Sequence, residues 1–214
     1  KEKNIKQVIV TSTSEVYGSG QTTYMSENHK LSAQSPYAAS KISADNVSMS
    51  YFNSFTTPVK IIRPFNCFGP RQSLRAVIPT IISQALFKKK INIGNTHTSR
   101  DYTYVEDLAE AYFEVLKKKI FFGKVVNVGT NKEYKISEII NIVKNNFDSK
   151  IKIVKKNERI RPVKSEVVRL RCNNNFIIKN TSWKPKISLE KGILKTTEWI
   201  KENVSKEIVS KYII

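Results

Sequence analysis

The chain has 214 residues, 40% of them hydrophobic, enough for one large or two small domains with a sizeable core, which excludes global disorder. Its net charge of +19, from 37 Lys+Arg against 18 Asp+Glu, raises nucleic acid as a partner. Against that, most of the excess is lysine scattered over predicted helix faces, with no zinc motif, RNP-like aromatic motif or basic heptad region.

Residues 1–10 read as a lead-in to a strand rather than a cleaved leader. Residues 7–14, QVIVTSTS, form a β-branched run ending in hydroxyl side chains, the pattern of a buried parallel strand whose carboxyl end opens onto a site. Residues 37–54 read as a helix, with Ser35 as its cap and Pro36 in its first turn. Residues 59–66, VKIIRPFN, read as a second strand stopped by the turn CFGPR. There follow a helix over 76–89, a strand over 91–94, and a helix over 105–118 with its acids early and its lysines late, as the helix dipole favours. A strand over 124–130, a helix over 136–147, a strand over 151–155 and a last helix over 188–204 complete the pattern. The tail to Ile214 is ambiguous. No apolar run approaches a membrane span, and Cys67 and Cys172 form no metal spacing, so a reduced cytoplasmic chain with no metal, membrane or nucleic-acid partner is expected.

Strands alternating with helices give the α/β class with a mostly parallel sheet. Ligands of such sheets sit beyond the carboxyl ends of the strands, where residues 11–15 and 64–66 fall. A basic segment, residues 150–171, carries nine Lys/Arg against Glu158 and Glu166 and suits a phosphate-bearing small molecule.

Tyr37 and Lys41 stand four apart on one helix face, so an ammonium lies near a phenol and favours its ionised form. A tyrosine so placed can take a hydroxyl proton while hydride leaves the same carbon. An ordinary amphipathic helix shows the same spacing by chance. TSTSEVYG, residues 11–18, sets Thr13, Ser14 and Glu15 at a strand end. Glu15 suits a general base and Thr13 a hydrogen bond to a substrate oxygen; a solvated turn carboxylate and strand-end capping are the plainer readings. A dinucleotide enzyme also needs a glycine-rich loop. This chain has seven glycines, and no three fall in a G-x-G-x-x-G or G-x-x-G-x-x-G spacing.

VTSTSEVYG, SPYAASK, IIRPFNCFGPR, AVIPTII, RDYTYVEDLAEA, VNVGT, RPVKSEVVRL and SWKPKISLEKGILKTTEWIKEN occur in that order. Together they resemble the extended short-chain dehydrogenase/reductases that act on nucleotide sugars, from about residue 7 to residue 203. Within that family the chain is most similar to the 4,6-dehydratases of the legionaminic-acid type, which act on a nucleotide-linked N-acetylglucosamine and serve cell-surface polysaccharide synthesis. The resemblance implies NAD as cofactor, a nucleotide-diphosphate sugar as substrate and a homodimer. It places a glycine-rich unit of roughly a hundred residues before the strand that opens this chain. The expectation is therefore the C-terminal part of a Rossmann-like sheet plus a smaller mixed α/β lobe, inactive by itself. Residues 1–71 and 101–132 would belong to the NAD-binding domain, and residues 72–100 and 133–214 to the nucleotide-sugar lobe.

By resemblance, Thr13 and Tyr37 contact the sugar C4 hydroxyl, Lys41 the nicotinamide ribose, and Asn66, Arg100 and Arg161 the substrate diphosphate. Guanidinium groups suit that last task, since they bond phosphate bidentately at any working pH; surface ion pairs, Arg100 with Asp101 or Arg161 with Glu158, are the bland alternative. Arg71 and Arg159 have no clear match. Many glucose 4,6-dehydratases carry Asp where Ser14 stands, and Ser14 is no acid of that strength, which leaves Glu15 to return its proton to the leaving oxygen. A UDP-glucuronate decarboxylase, with Arg71 or Arg75 facing the carboxylate, is the first rival. A 4-epimerase leaves Glu15 without a task. A non-enzymatic remnant is the rival from another class.

Overall fold

The computed structural model describes residues 5–20, 22–147, 150–160 and 162–212. In chain order the elements are β1 (Val8–Thr11), α1 (Pro36–Phe55), β2 (Val59–Pro64), β3 (Asn66–Phe68), α2 (Val77–Lys88), β4 (Lys90–Ile93), β5 (Ser99–Arg100), β6 (Tyr102–Tyr104), α3 (Val105–Lys117), β7 (Lys124–Val128), β8 (Tyr134–Lys135), α4 (Ile136–Phe147), β9 (Lys152–Lys155), β10 (Arg169–Leu170), α5 (Asn175–Asn180), α6 (Leu189–Asn203) and α7 (Lys206–Tyr212). The class is α/β, and the central sheet, in the order β1-β2-β7, is parallel throughout. Among the described residues, no helix is long and apolar enough to cross a membrane.

The sheet buries Ile62, Val126 and Val128 against Ala111 and Val115 of α3, Ile177 of α5 and Trp183. Lys60 stands in the middle strand with no exposed surface, because its ammonium donates to the carbonyls of Val115 and Leu116 at 2.7 and 2.9 Å and to Gln7 at 2.8 Å. It thereby satisfies the last turn of α3, whose carbonyls have no partner within the helix. A second core joins α2, α4 and α6 over β4 through Ile81, Ile82, Ile139, Ile140 and Ile193.

Three strands end earlier than the sequence suggests, among them the one read over 124–130, which is Lys124–Val128. The run over 7–14 is β only from Val8 to Thr11, and residues 14–17 coil into a 3-10 turn capped by Thr13. The run over 59–66 leaves its sheet at Pro64: Phe65 N–H donates to Val128 O, and Asn66 N–H then donates to Asp101 O. Residues 66–68 pair in parallel with β6 instead, so the first two residues of the expected CFGPR turn are strand. The two-residue strands β5, β8 and β10 form a separate three-stranded sheet with β5 in the middle.

Candidate active site

The carboxyl end of β1 opens the site. Thr13 is buried, and its hydroxyl oxygen accepts the backbone N–H of Glu15 at 3.2 Å, so it caps the turn as the plainer reading had it while its own proton stays available to a ligand. Ser14 is buried beside it, and Glu15 is half-buried. Across from β1, the parallel register sets Asn66 opposite Tyr102 and Cys67 opposite Thr103. Arg100 lies two residues before Tyr102, in the strand that pairs with both β8 and β10.

These strand ends surround a cavity of about 360 Å³, whose walls include Glu15, Asn66, Gln72, Arg100, Tyr102 and Glu166. Its size suits a small-molecule site. Three guanidinium groups, Arg75, Arg100 and Arg159, face two carboxylates, Glu15 and Glu166. The backbone of Arg159 itself packs against Gly94, where an added Cβ would collide with the Arg159 carbonyl. Cys67 also lines the cavity, but burial pushes its thiol up to about 11, which removes the thiolate a nucleophile would need. Tyr102 is 4% exposed, and its hydroxyl is without a hydrogen-bond partner among the described residues; burial raises its pKa.

Tyr37 and Lys41 stand apart from this cavity wall. Ser35 caps α1 by accepting the N–H of Ala38 at 3.1 Å, and Pro36 opens its first turn. Tyr37 follows, 52% exposed. Lys41 Nζ donates to Thr11 O at 3.0 Å, which ties the helix to the end of β1; no hydrogen bond joins Lys41 to Tyr37 among the described residues. The structure therefore groups Glu15, Asn66 and Arg100 in one cavity, and Tyr37 and Lys41 on the flank of β1. Arg161 lies outside the described residues.

Asp101, the partner that the bland alternative gave Arg100, has its carboxylate occupied elsewhere. Asp101 turns inward, accepting Thr130 N and Oγ1 at 2.8 and 2.7 Å and Cys172 N at 3.2 Å. Burial pushes it up to about 6. Arg100 Nη2 instead stands 4.0 Å from Glu166 Oε1. Glu158 pairs with Lys156 at 3.5 Å. Arg71 is exposed and does not line the cavity. No local pattern marks Glu166, Gln72 or Tyr102 as site residues: their place depends on strand pairing between distant segments.

Comparison with known proteins adds the lineage. The family model described as GDP-mannose 4,6 dehydratase matches residues 1–196. The human dTDP-D-glucose 4,6-dehydratase is 32% identical over 215 residues, covering 94% of this chain and 58% of its own length. The dTDP-glucose 4,6-dehydratase of Bacillus anthracis, solved in complex with NAD, superposes with a TM-score of 0.84 at 30% identity, over 92% of this chain and 62% of that one. An NAD-dependent NDP-hexosamine 5,6-dehydratase of tunicamycin biosynthesis superposes with a TM-score of 0.86 at 26% identity, over 94% of this chain and 65% of that one. The chain thus spans about three-fifths of the length of these relatives. With its parallel sheet, its Tyr37–Lys41 helix and its strand-end carboxylate, the chain belongs to the GDP-mannose 4,6-dehydratase family of extended short-chain dehydrogenase/reductases.

Proposed function

We propose that this chain carries the acid–base and substrate-binding residues of an NAD-dependent nucleotide-sugar 4,6-dehydratase of the legionaminic-acid type, acting on a nucleotide-linked N-acetylglucosamine. The observation that carries it is the cavity in which Glu15 meets Asn66 and Arg100. The hexosamine dehydratase among the structural relatives supports the amino sugar. The 214 residues carry no glycine-rich dinucleotide loop, so we take them to be inactive by themselves. The same reading divides the chain into a dinucleotide-binding part, residues 1–71 and 101–132, and a nucleotide-sugar lobe, residues 72–100 and 133–214. It also makes the enzyme a cytoplasmic homodimer.

The residues present fit the cofactor's ribose end: an exposed Tyr37 and an ammonium, Lys41, stand beside the carboxyl end of the outer strand β1. NAD, when bound, would supply the hydride acceptor for C4 and the hydride donor for C6. Tyr37 takes the proton of the C4 hydroxyl, with the Thr13 hydroxyl holding the same oxygen. Glu15 then removes the C5 proton, which the 4-keto group has made acidic. Ser14 is no acid for the leaving C6 hydroxyl, so Glu15 delivers its proton there and water departs; C5 regains a proton as hydride returns to C6, balanced by the one Tyr37 took from the C4 hydroxyl. Arg100, with Arg161 by family resemblance, holds the diphosphate. The product is a 4-keto-6-deoxy sugar.

The test joins this chain to the part of the human relative that it does not cover and offers UDP-N-acetylglucosamine, its GDP counterpart and UDP-glucuronate. Glu15→Gln is expected to abolish the 4-keto-6-deoxy product, a loss of about 10²–10⁴ in rate, while NADH absorbance still rises on adding substrate. Tyr37→Phe is expected to abolish both signals. Carbon dioxide from UDP-glucuronate, with no water lost from the other two, would overturn this reading in favour of a decarboxylase.

A further inference from the structure

The mechanism leaves one cavity carboxylate without a task. Glu166 lines the cavity together with Glu15, yet its side chain is 14% exposed, and no hydrogen bond reaches either of its carboxylate oxygens among the described residues. Its ion pair with Arg100, at 4.0 Å, is longer than a hydrogen bond. A half-buried negative charge in a cavity meant for an anionic diphosphate opposes binding unless the ligand gives it a donor.

The position is also held firmly. Glu166 N–H donates to Pro162 O at 3.1 Å, and Glu166 O accepts Ser19 Oγ at 3.3 Å. Ser19 Oγ in turn accepts Val168 N–H at 3.1 Å, and Val167 between them is buried. Ser19 lies only four residues beyond Glu15, so these bonds fasten the Glu166 segment to the segment that carries the proposed C5 base.

From this we infer that Glu166 is a specificity-determining residue: its carboxylate accepts a hydrogen bond from the acetamido N–H of the bound sugar. The inference rests on the nucleotide-sugar reading above. Both carboxylates then serve the sugar end of the ligand, Glu15 at a ring carbon and Glu166 at the amide substituent, while Arg100 beside Glu166 turns to the phosphates. A sugar with a hydroxyl in place of the acetamido group loses the amide donor and the geometry built for it.

Isothermal titration of the 214-residue chain with UDP-N-acetylglucosamine, UDP-glucose and UDP tests this without cofactor or turnover. The unaltered chain is expected to prefer the acetamido sugar. Glu166→Ala should weaken that ligand alone by about tenfold, the loss of one hydrogen bond to a charged group, and leave UDP-glucose and UDP unchanged or tighter as a negative charge is removed. Glu166→Gln keeps a neutral acceptor of the same shape and should lose about threefold, since a charge-assisted bond is roughly twice as strong; it also serves if the alanine variant does not fold. Equal weakening of all three ligands by both variants, or no selective loss in either, would overturn the inference and leave the nucleotide-sugar reading standing. An unaltered chain that binds none of the three overturns both.

Discussion

Arg63 and Asp45 form a buried ion pair in which two guanidinium nitrogens, Nε and Nη2, reach one carboxylate oxygen, Oδ2, at 3.0 and 2.9 Å. Ser12 Oγ donates to the same oxygen at 2.9 Å, and Arg63 Nη1 donates to Tyr17 Oη at 3.1 Å, which donates on to Asn127 at 2.7 Å. One polar chain thereby joins the end of β1, the middle of α1, β2 and β7. Ala38 and Asp45 are the buried residues of α1, so this pair does much of the work of seating the helix that carries Tyr37 and Lys41.

Removing one partner strands the other. Asp45→Ala leaves the Arg63 charge buried and uncompensated, at a cost of about 3–5 kcal/mol. Urea unfolding of the two chains checks this. The double change Asp45→Leu with Arg63→Met, which removes both charges, is expected to cost less than either single change.

Asp101 sets a pH dependence. Burial places its folded pKa at about 6, above its ordinary value of 3.8, despite hydrogen bonds from Thr130, Asn131 and Cys172 that favour the ionised form. The native state therefore keeps a proton that the unfolded chain has released, and this residue's contribution to stability falls as pH rises between about 4 and 6. At about 1.4 kcal/mol per unit, the contribution lost is on the order of 3 kcal/mol. Melting curves from pH 4 to 7 should show a flatter profile over that window for Asp101→Asn than for the unaltered chain. The variant is also expected to be less stable at pH 4, since an amide cannot accept all of those bonds.

Gly192 marks where α6 crosses the β3–β6 sheet. A Cβ there would lie 2.5 Å from Phe68 Cζ and 2.9 Å from Tyr104 Cδ2, both in buried rings. Gly→Ala in a helix ordinarily stabilises by about 0.5–1 kcal/mol. Here the sign should reverse, with Gly192→Ala losing about 1–3 kcal/mol to overpacking. Chemical denaturation that shows a gain would refute this contact.

Val47, Tyr51 and Phe55 recur every four residues on α1 and are 58%, 53% and 56% exposed. Tyr51 and Phe55 stack with ring centroids 5.7 Å apart. An exposed apolar stripe of that kind suits the homodimer proposed above. The chain is expected to sediment as a dimer or larger species, and Tyr51→Lys combined with Phe55→Lys to shift it toward monomer. A monomeric unaltered chain at micromolar concentration would count against the homodimer proposal.

The long elements were legible in the sequence because their signals are local. Helices 36–55, 77–88, 105–117, 136–147 and 189–203 lie within two residues of the spans that apolar period, caps and dipole charges imply. The three strands of the central sheet were legible as β-branched runs, and Glu15, Tyr37 and Lys41 as motif residues beside a strand end. What tertiary structure alone decided is partnership. Pro64 has no N–H to continue its ladder, so the chain changes sheets there and brings Asn66 opposite Tyr102. The parallel pairing of Ser99 with Arg169 brings Arg100 to Glu166, sixty-six residues away in sequence. Two-residue strands such as these have no period to read, and which carboxylate faces Arg100 depends on a register set by contacts that local composition does not encode.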